Sequence, residues 1–376
     1  MTAAALPPFR LEHHFGKWEF RARYNVAASD AQTMTVAQLL ELADDADRKA
    51  WDELALGYTQ MEGDPELRAR IAATYRGLDA DDVVCFAGAE EGLWCALQAT
   101  LGSGEHALVT TPNYQSMEAV VLSLGTATAL PLRSERDWTL DLDAVRAAMR
   151  PQTRLIAVNF PNNPTGAVAS HETFRALIDL AAERDAWFFS DEVYRGLERD
   201  PATRLPQAAE LYERGISLGV MSKAYGLAGL RVGWIACRDR ALLAKLMALK
   251  QYLSICNSGP AEILSRIALK AREHILSRVN GLIDANVRLL DAFFARHRDR
   301  FEWNAPPAAC IAFPRYLGRE GADAYCERLV EGHGILLVPS SIFASELATI
   351  PTDRFRIGFG RANLAEALDV WERTFS

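Results

Sequence analysis

Short apolar runs alternate with helical stretches along most of this chain, and that alternation limits the possible folds more than any other feature. The predicted strands are VVCFAG, HALVTT, TRLIAVNF, AWFFSDE, ISLGVMS and VGWIAC. Helical stretches such as AEEGLWCALQATLG and ETFRALIDLAAERD separate several of them. Strands connected through helices form a mainly parallel sheet, covered on both faces, that binds ligands at the carboxyl ends of its strands. We therefore predict an α/β fold with a ligand site at one edge of the sheet.

The pattern changes in the last third of the chain, and this change indicates two domains. A long helical region is followed by isolated strands such as FRIGFG. We expect residues 36–260 to form a large ligand-binding domain and residues 261–376 to form a smaller α+β domain. The arm at residues 1–35 has no partner strand nearby in sequence, and we expect it to join the smaller domain. Thr35 is expected to cap one helix, TVAQLLELADDADRKAWDELA, and Asp64 the next.

Composition and charge exclude several classes of function. The 376 residues carry a formal net charge of -8 at pH 7, which argues against nucleic acid as a partner, because phosphate backbones are bound by clustered Lys and Arg. No apolar run reaches the roughly 20 residues that cross a bilayer, and the first residues lack the basic-then-apolar order of a secretory signal. The six cysteines form no CxxC pair and the seven histidines no HExxH. We expect a cytoplasmic protein with reduced thiols and no metal site.

The segment MSKAYGLAGLRVGW, at residues 221–234, places Lys223 and Arg231 beside glycines. A lysine at such a place is most often a solvated surface residue. A buried lysine can instead be tuned into a neutral amine that forms Schiff bases with carbonyls. Arg231 lies between Leu230 and Val232, so we expect it to be buried and to need an anionic partner.

Two further segments directly follow predicted strands. NFPNNPTG, at residues 159–166, places Asn163 in a turn, and SDEVYRG, at residues 190–196, places Asp191 at a strand tip with Tyr194 nearby. Each segment also has an ordinary structural explanation. These explanations are a turn that leaves a strand, a carboxylate that caps a helix, and a packed aromatic ring.

Taken together and in this order, the three segments resemble the class I/II aminotransferases, which are fold-type-I enzymes that depend on pyridoxal 5'-phosphate (PLP). The resemblance extends from about Tyr58 to Arg356. It implies a large, mainly parallel sheet sandwiched by helices, plus a smaller α+β domain. It also implies pyridoxal 5'-phosphate as the cofactor, an amino acid as the substrate, and a homodimer with composite active sites.

The resemblance implies roles for the residues of the three segments. Lys223 is expected to carry the cofactor as a Schiff base and later to move the Cα proton. Asp191 is expected to pair with the pyridine nitrogen, so that the ring accepts electrons. Asn163 and Tyr194 match residues that bind the ring oxygen O3′, with Asn163 also next to the substrate, and Arg231 matches the arginine that binds the phosphate. Lys223, Asp191 and Tyr194 are therefore the expected catalytic residues.

Further contacts follow from the same resemblance. Ala89 and Glu90, in FAGAEEG, match a strand-to-helix turn whose backbone N–H groups hold the phosphate. Tyr114 matches the aromatic residue that stacks on the cofactor ring, and Tyr58 matches a tyrosine that reaches the phosphate of the neighbouring subunit. Arg356 matches the arginine that binds the substrate α-carboxylate.

The phosphate site departs from the family at one position. The family usually has Ser or Thr three residues before the lysine, where this chain has Val220. Ser222 lies next to the lysine, and we expect its hydroxyl to compensate in part.

A finer resemblance concerns the substrate. EVYRGLERD and SKAYGLAGLRVGW are similar to the subgroup that contains capreomycidine synthase, a cyclase of hydroxylated arginine. The stretch KWEFRARYNVAASD more faintly resembles the start of PLP-dependent arginine oxidases, in which a Trp-Glu pair occurs and the glutamate faces the guanidinium. The pair here is Trp18-Glu19, and Asp30 is a second acidic candidate for substrate binding. The structural alternatives are an amphipathic helix with Glu19 in water and a cap or turn at Asp30.

Three functions are compatible with these patterns. The first is an aminotransferase that acts on an L-α-amino acid through a Schiff base to Lys223 and Cα deprotonation. The second is a cyclase, lyase or oxidase that acts on arginine or hydroxyarginine in specialised metabolism. The third is a non-catalytic regulator of the same fold, which the intact Lys223 and the shortness of the arm disfavour.

Overall fold

The computed structural model describes residues 6–375. Its helices are α1 (Arg10–Trp18), α2 (Val36–Leu40), α3 (Asp45–Asp52), α4 (Pro65–Ala72), α5 (Ala89–Thr100), α6 (Gln115–Leu124), α7 (Leu142–Ala148), α8 (His171–Glu183), α9 (Ala208–Leu211), α10 (Arg240–Lys250), α11 (Gly259–Lys270), α12 (Arg272–Arg296), α13 (Ala322–His333) and α14 (Leu364–Glu372). Its strands are β1 (Tyr24–Asn25), β2 (Val83–Phe86), β3 (His106–Thr111), β4 (Thr126–Pro131), β5 (Thr153–Asn159), β6 (Trp187–Asp191), β7 (Gly215–Val220), β8 (Gly233–Ala236), β9 (Phe301–Glu302), β10 (Ile311–Ala312), β11 (Arg315–Tyr316), β12 (Ile335–Leu336), β13 (Val338–Pro339) and β14 (Phe355–Gly358). Within the described range, no helix combines the length and apolar character needed to cross a bilayer.

A seven-stranded sheet forms the centre of the molecule, in the order β2-β8-β7-β6-β5-β3-β4. Neighbouring strands from β7 to β4 are parallel, whereas β8 runs antiparallel to both β2 and β7. The predicted α/β architecture is therefore confirmed. The sequence analysis missed β4, because this edge strand consists largely of small residues and is only partly buried.

The first two predicted helix caps are present, but one predicted helix is interrupted. Thr35 caps α2 through a capping box, and Asp64 caps α4. The prediction of one continuous helix from Thr35 is wrong. The chain leaves the helix after Leu40, and Asp44 begins α3 by accepting a backbone N–H three residues later, a local bond that competes with helix continuation.

The amino-terminal arm crosses the small strands near the carboxyl terminus. Tyr24 pairs with Ile335 in a parallel bridge, and the N–H of Gly358 donates to Val26 O at 2.7 Å. A Cβ at Gly358 would lie 1.8 Å from Ala28 O, so only glycine allows this close approach. The crossing carries the next arm residues to the carboxyl ends of the central strands.

The arm contacts support the division into domains that the sequence suggests, which we retain as a proposal. The large domain would comprise residues 36–260, and the smaller one residues 1–35 together with 261–376. Residues 1–5 and Ser376 lie outside the described part of the chain. One buried apolar cluster includes residues of the arm, the central sheet and β14, so packing is continuous across the proposed boundary.

Candidate active site

The carboxyl ends of three neighbouring parallel strands open into one cavity. β5 ends at Asn159, β6 at Asp191 and β7 at Val220. The cavity has a volume of about 410 Å³ and lies at the edge of the sheet where ligands of such folds bind. The predicted site residues that line it are Glu19, Asp30, Ala89, Glu90, Tyr114, Asn163, Asp191, Tyr194, Ser222, Lys223 and Arg231. The fold thus brings together every predicted site residue except Tyr58 and Arg356.

Lys223 follows β7 and presents its amine to residues of the arm and of the sheet. Its Nζ donates a hydrogen bond to Ser29 Oγ at 2.8 Å and lies 5.9 Å from the ring centroid of Tyr194. Burial lowers the pKa of this amine, and the charge of Asp30 acts in the opposite direction. A lowered pKa increases the neutral fraction, which is the nucleophilic form. The sequence analysis missed Ser29, because nothing in the stretch NVAASD marks one serine.

Asp191 and Tyr194 present buried polar groups without full partners. Asp191 is 6% exposed, and its Oδ1 accepts the N–H of Val193 at 3.2 Å. Burial raises the pKa of Asp191 to about 7, although Lys223 acts to lower it. No described Lys or Arg forms an ion pair with Asp191, on which Lys223 acts only through its charge, and the buried hydroxyl of Tyr194 has no hydrogen-bond partner. Both groups can therefore form a hydrogen bond or an ion pair with a polar ligand in the cavity.

Arg356 lies beneath the cavity surface. This side chain of β14 is fully buried, and it donates from Nη1 to Asn163 Oδ1 at 3.1 Å and from Nη2 to Ala27 O at 2.9 Å. Its Nε has no partner. The ring centroids of Phe15 and Phe343 lie 5.8 Å and 5.5 Å from its Cζ. Phe15 also lines the cavity, so access to Arg356 depends on the position of Phe15.

Arg231 and the start of α5 form a basic end of the cavity. The expectation that Arg231 is buried is wrong, because it takes a left-handed conformation with φ 50° and is exposed at the cavity. A Cβ at Gly88 would lie 2.4 Å from Arg231 Nη2, so glycine admits the guanidinium beside the free N–H groups that begin at Ala89. Val220 and Ser222 line the same cavity. The cluster suits a phosphate, with one hydroxyl from Ser222 and none from Val220.

Glu90 and Tyr114 line the cavity, and each forms a hydrogen bond with a neighbouring side chain. The Glu90 carboxylate accepts a hydrogen bond from Ser116 Oγ at 2.9 Å. Although this side chain is open to the cavity, the surrounding protein desolvates the carboxyl and raises its pKa to about 7. The hydroxyl of Tyr114 donates to Glu12 Oε1 at 3.3 Å.

An acidic wall, formed by Glu12, Glu19 and Asp30, closes the arm side of the cavity. Asp30 is paired with Arg361, whose Nη2 lies 2.9 Å and 3.1 Å from the two carboxylate oxygens. Desolvation raises the pKa of Glu19, against the charge of Arg361. Glu19 therefore lies at the cavity and is partly shielded from bulk water. Glu12 and Arg361 were missed by the sequence analysis, although Glu12 precedes Glu19 by two helical turns and so shares its face of α1.

Tyr58 lies away from the cavity. Its side chain is 91% exposed on the loop before α4. A single chain therefore does not bring Tyr58 to the site where the resemblance places it.

Comparison with known proteins identifies the family. The sequence profile described as Aminotransferase class I and II matches residues 24–370. The chain belongs to this family. The match covers the central sheet, the arm strand β1 and the small strands that hold Arg356. A curated relative from this family, capreomycidine synthase of Streptomyces vinaceus, is 33% identical over 94% of this chain and 90% of its own length.

Two other members of the aminotransferase family show how broad the similarity is. The arginine–pyruvate transaminase of Pseudomonas aeruginosa is 31% identical over 80% of this chain and 78% of its own length. The crystal structure of a PLP-dependent aminotransferase from Streptococcus suis superposes with a TM-score of 0.91 at 26% identity, covering 98% of each chain. These matches confirm the fold-type-I architecture that the sequence motifs predict.

Pyridoxal phosphate is the cofactor of this aminotransferase family, and the residues of the cavity fit it. The buried Asp191 suits a protonated ring nitrogen, and the unpartnered hydroxyl of Tyr194 suits a ring oxygen. Arg231 and the start of α5 suit the phosphate group. Lys223 is the amine within the same cavity that can bind the cofactor covalently.

Replacement of Asp191 by Asn should stabilise the cofactor-free chain increasingly as the pH rises. Burial raises the pKa of Asp191 from 3.8 to about 7, so its ionised form is disfavoured in the folded state. The resulting cost is absent below about pH 4 and grows to about 4 kcal/mol above pH 7. Asn keeps an acceptor for the N–H of Val193 and carries no charge.

Urea unfolding between about pH 5 and pH 8 measures this difference in the free energy of unfolding. The advantage of Asp191→Asn over the wild type is expected to widen with pH. The exposed control Asp52→Asn is expected to show no such widening. A constant advantage across the pH range, or a loss of stability at pH 8, would argue against a raised pKa at Asp191.

Proposed function

We propose that this chain is a PLP-dependent aminotransferase that acts on an L-α-amino acid. The observation that carries the proposal is the position of four groups, three lining one cavity and the fourth, Arg356, directly beneath its surface. They are the amine of Lys223, the buried carboxyl of Asp191, and the hydrogen-bonded pair of Arg356 and Asn163. Transamination requires such a set, because the substrate must be oriented by its carboxylate while a proton moves at its Cα.

The side chains around the cavity divide the chemistry among them. The bound cofactor supplies an electron sink for the negative charge that develops at the substrate Cα. Lys223 would hold the cofactor covalently, and its amine, when free and neutral, would take the Cα proton of the substrate. Asp191 keeps the pyridine nitrogen protonated, and this ion pair relieves the cost of its own burial. The hydroxyl of Tyr194 donates a hydrogen bond to the ring oxygen.

The substrate α-carboxylate is proposed to bind Arg356. Asn163 already holds the guanidinium through its side-chain oxygen, which leaves its amide N–H groups for the cofactor or the substrate. Arg356 Nε has no partner and can add a donor for a carboxylate. Because Phe15 lies beside both the guanidinium and the cavity, substrate binding is expected to displace this ring.

The substrate side chain is proposed to be positively charged. Glu12 and Glu19 line the cavity and form no ion pair with a described residue, whereas Asp30 is neutralised by Arg361. The acidic wall therefore keeps an excess of negative charge, which attracts a guanidinium or ammonium group. One relative, the arginine–pyruvate transaminase, is named for an amino acid of this kind.

The working enzyme is proposed to be a cytoplasmic homodimer in which Tyr58 of each subunit reaches the phosphate site of the other. Three large side chains, Leu56, Tyr58 and Tyr252, are 86%, 91% and 90% exposed on two loops. Exposed apolar groups on adjacent loops are typical of an interface with another protein. The six cysteines are all free, as expected in a reducing compartment.

A second candidate is a PLP-dependent cyclase. Capreomycidine synthase is similar to this chain over 94% of the chain's length. Cyclisation uses the same Cα deprotonation by Lys223, but a hydroxyl on the substrate side chain then leaves as water and a side-chain nitrogen adds to the carbon that carried it. The fold and the lysine do not distinguish the two reactions.

Single-turnover mixing of the cofactor-loaded enzyme with one amino acid, in the absence of any 2-oxo acid, distinguishes the two candidates. Transamination predicts one equivalent of 2-oxo acid per active site and complete conversion of the cofactor to its amine form. The reaction then stops until a 2-oxo acid is supplied. A cyclic amino acid, formed while the cofactor returns unchanged, would favour the second candidate. An inert enzyme with lysine-bound cofactor would contradict both.

The variants Glu12→Gln and Glu19→Gln test the proposed charge selection. We expect each to lower kcat/KM for arginine about tenfold, because each removes one charge-assisted contact. For citrulline, a neutral isostere of arginine, kcat/KM should change by less than about twofold. The exposed control Glu273→Gln should leave both values unchanged. Equal losses for arginine and citrulline would refute a role in recognising charge.

A further inference from the structure

Lys250 is a fully buried lysine outside the cavity. It is the last residue of α10, and its Nζ donates hydrogen bonds to Met61 O and, at 2.8 Å, to Asn257 Oδ1. Burial lowers the pKa of this amine, against the nearby acidic groups, which include Glu91. A buried amine is costly unless its donors are bonded, and an apolar residue of similar size would fill the same volume. Both of its acceptors lie on loops.

One of these loops is bonded to the phosphate end of the cavity. Asn257 Nδ2 donates to Phe86 O at 2.7 Å, and Phe86 ends β2 directly before the turn that begins α5. The carboxylate of Glu91 accepts the N–H of Ala87 at 2.5 Å and the N–H of Ser254 at 3.1 Å. The loop at residues 251–258 therefore holds the turn at two points.

The other loop carries Leu56 and Tyr58, two of the three exposed side chains of the proposed dimer surface. Met61 O accepts from Lys250 Nζ, and Thr59 Oγ1 donates to Asn257 O at 2.8 Å. Tyr58 directly precedes this anchored stretch and is itself exposed. The loop is thus fixed on either side of residue 60, at Thr59 and Met61. The side chain of Tyr58 extends away from the rest of its own subunit.

We infer that Lys250 and Asn257 are positioning residues that hold the Tyr58 loop and the phosphate turn in one fixed arrangement. The inference rests on the proposed dimer, in which Tyr58 serves the phosphate of the partner. Each subunit then presents Tyr58 correctly only when its own phosphate turn is ordered. Cofactor binding and subunit association therefore strengthen each other, because coupling between two binding events is reciprocal.

The test of this coupling is the apparent dissociation constant for pyridoxal phosphate, measured on the full-length chain. It is measured below and above the protein concentration at which dimers dissociate, and the ratio of the monomer value to the dimer value reports the coupling. In the wild type the dimer is expected to bind the cofactor on the order of tenfold or more tightly than the monomer, within the usual range of coupling factors. In Lys250→Met this ratio should fall to within about twofold of unity.

Two matched controls and a double variant separate positioning from general stability. Lys245→Met makes the same substitution at an exposed site on α10, and Leu246→Ala removes a buried apolar group from that helix. Both should keep the wild-type ratio, even if Leu246→Ala lowers the free energy of unfolding. Tyr58→Phe should lower the ratio as Lys250→Met does, and combining the two changes should lower it no further.

Asn257→Asp provides a second route if Lys250→Met does not fold. Aspartate keeps an acceptor for Lys250 but loses the donor to Phe86 O, so the ratio should again fall. A wild-type ratio in either folded variant overturns the inference, as does an equal fall in Leu246→Ala or an additive effect of Tyr58→Phe. Failure of the proposed function is a separate result, because it is read from the single-turnover products of the wild type, whereas failure of the proposed dimer would remove the ratio from the wild type itself.

Discussion

A carboxyl group buried at the end of β6 is the constraint on which the site depends. Asp191 is buried among the strands that define the fold, and burial raises its pKa to about 7. The folded chain bears this cost without an ion pair to any described residue. A cationic ring nitrogen would offset the free-energy cost of ionising Asp191. Cofactor binding would therefore stabilise this edge of the sheet.

The amino-terminal arm turns this sheet edge into an enclosed site. It reaches the cavity because Gly358 lets the backbone at Ala28 pass within contact distance of β14. The crossing sets Ser29 against Lys223 and forms the acidic wall opposite the sheet. We propose that the strands and the family motifs supply the reaction and that the arm selects the substrate. Relatives with the same lysine and different arms can therefore share a first step and differ in what they accept.

Sequence patterns predicted the parts of the site that follow buried strands. Asn163, Asp191 and Lys223 each come shortly after a strand of dense apolar residues, and parallel topology forces their convergence. The same reasoning could not find Ser29, because its place depends on arm contacts with residues far away in sequence. Arg231 was expected to be buried because of its apolar neighbours, but a left-handed turn exposes it to the cavity. Tyr58 is exposed in the single chain, and its predicted role requires a second subunit.

The most direct test of the account is to identify the lysine that binds the cofactor. Borohydride reduction of the cofactor-loaded protein fixes the bond, and peptide mass spectrometry then locates it. The account predicts the phosphopyridoxyl group on Lys223 alone. Lys250 is the matched comparison, since it is fully buried and its pKa is also lowered. Modification of Lys250 or of any other lysine in place of Lys223, or no covalent modification at all, would contradict the account.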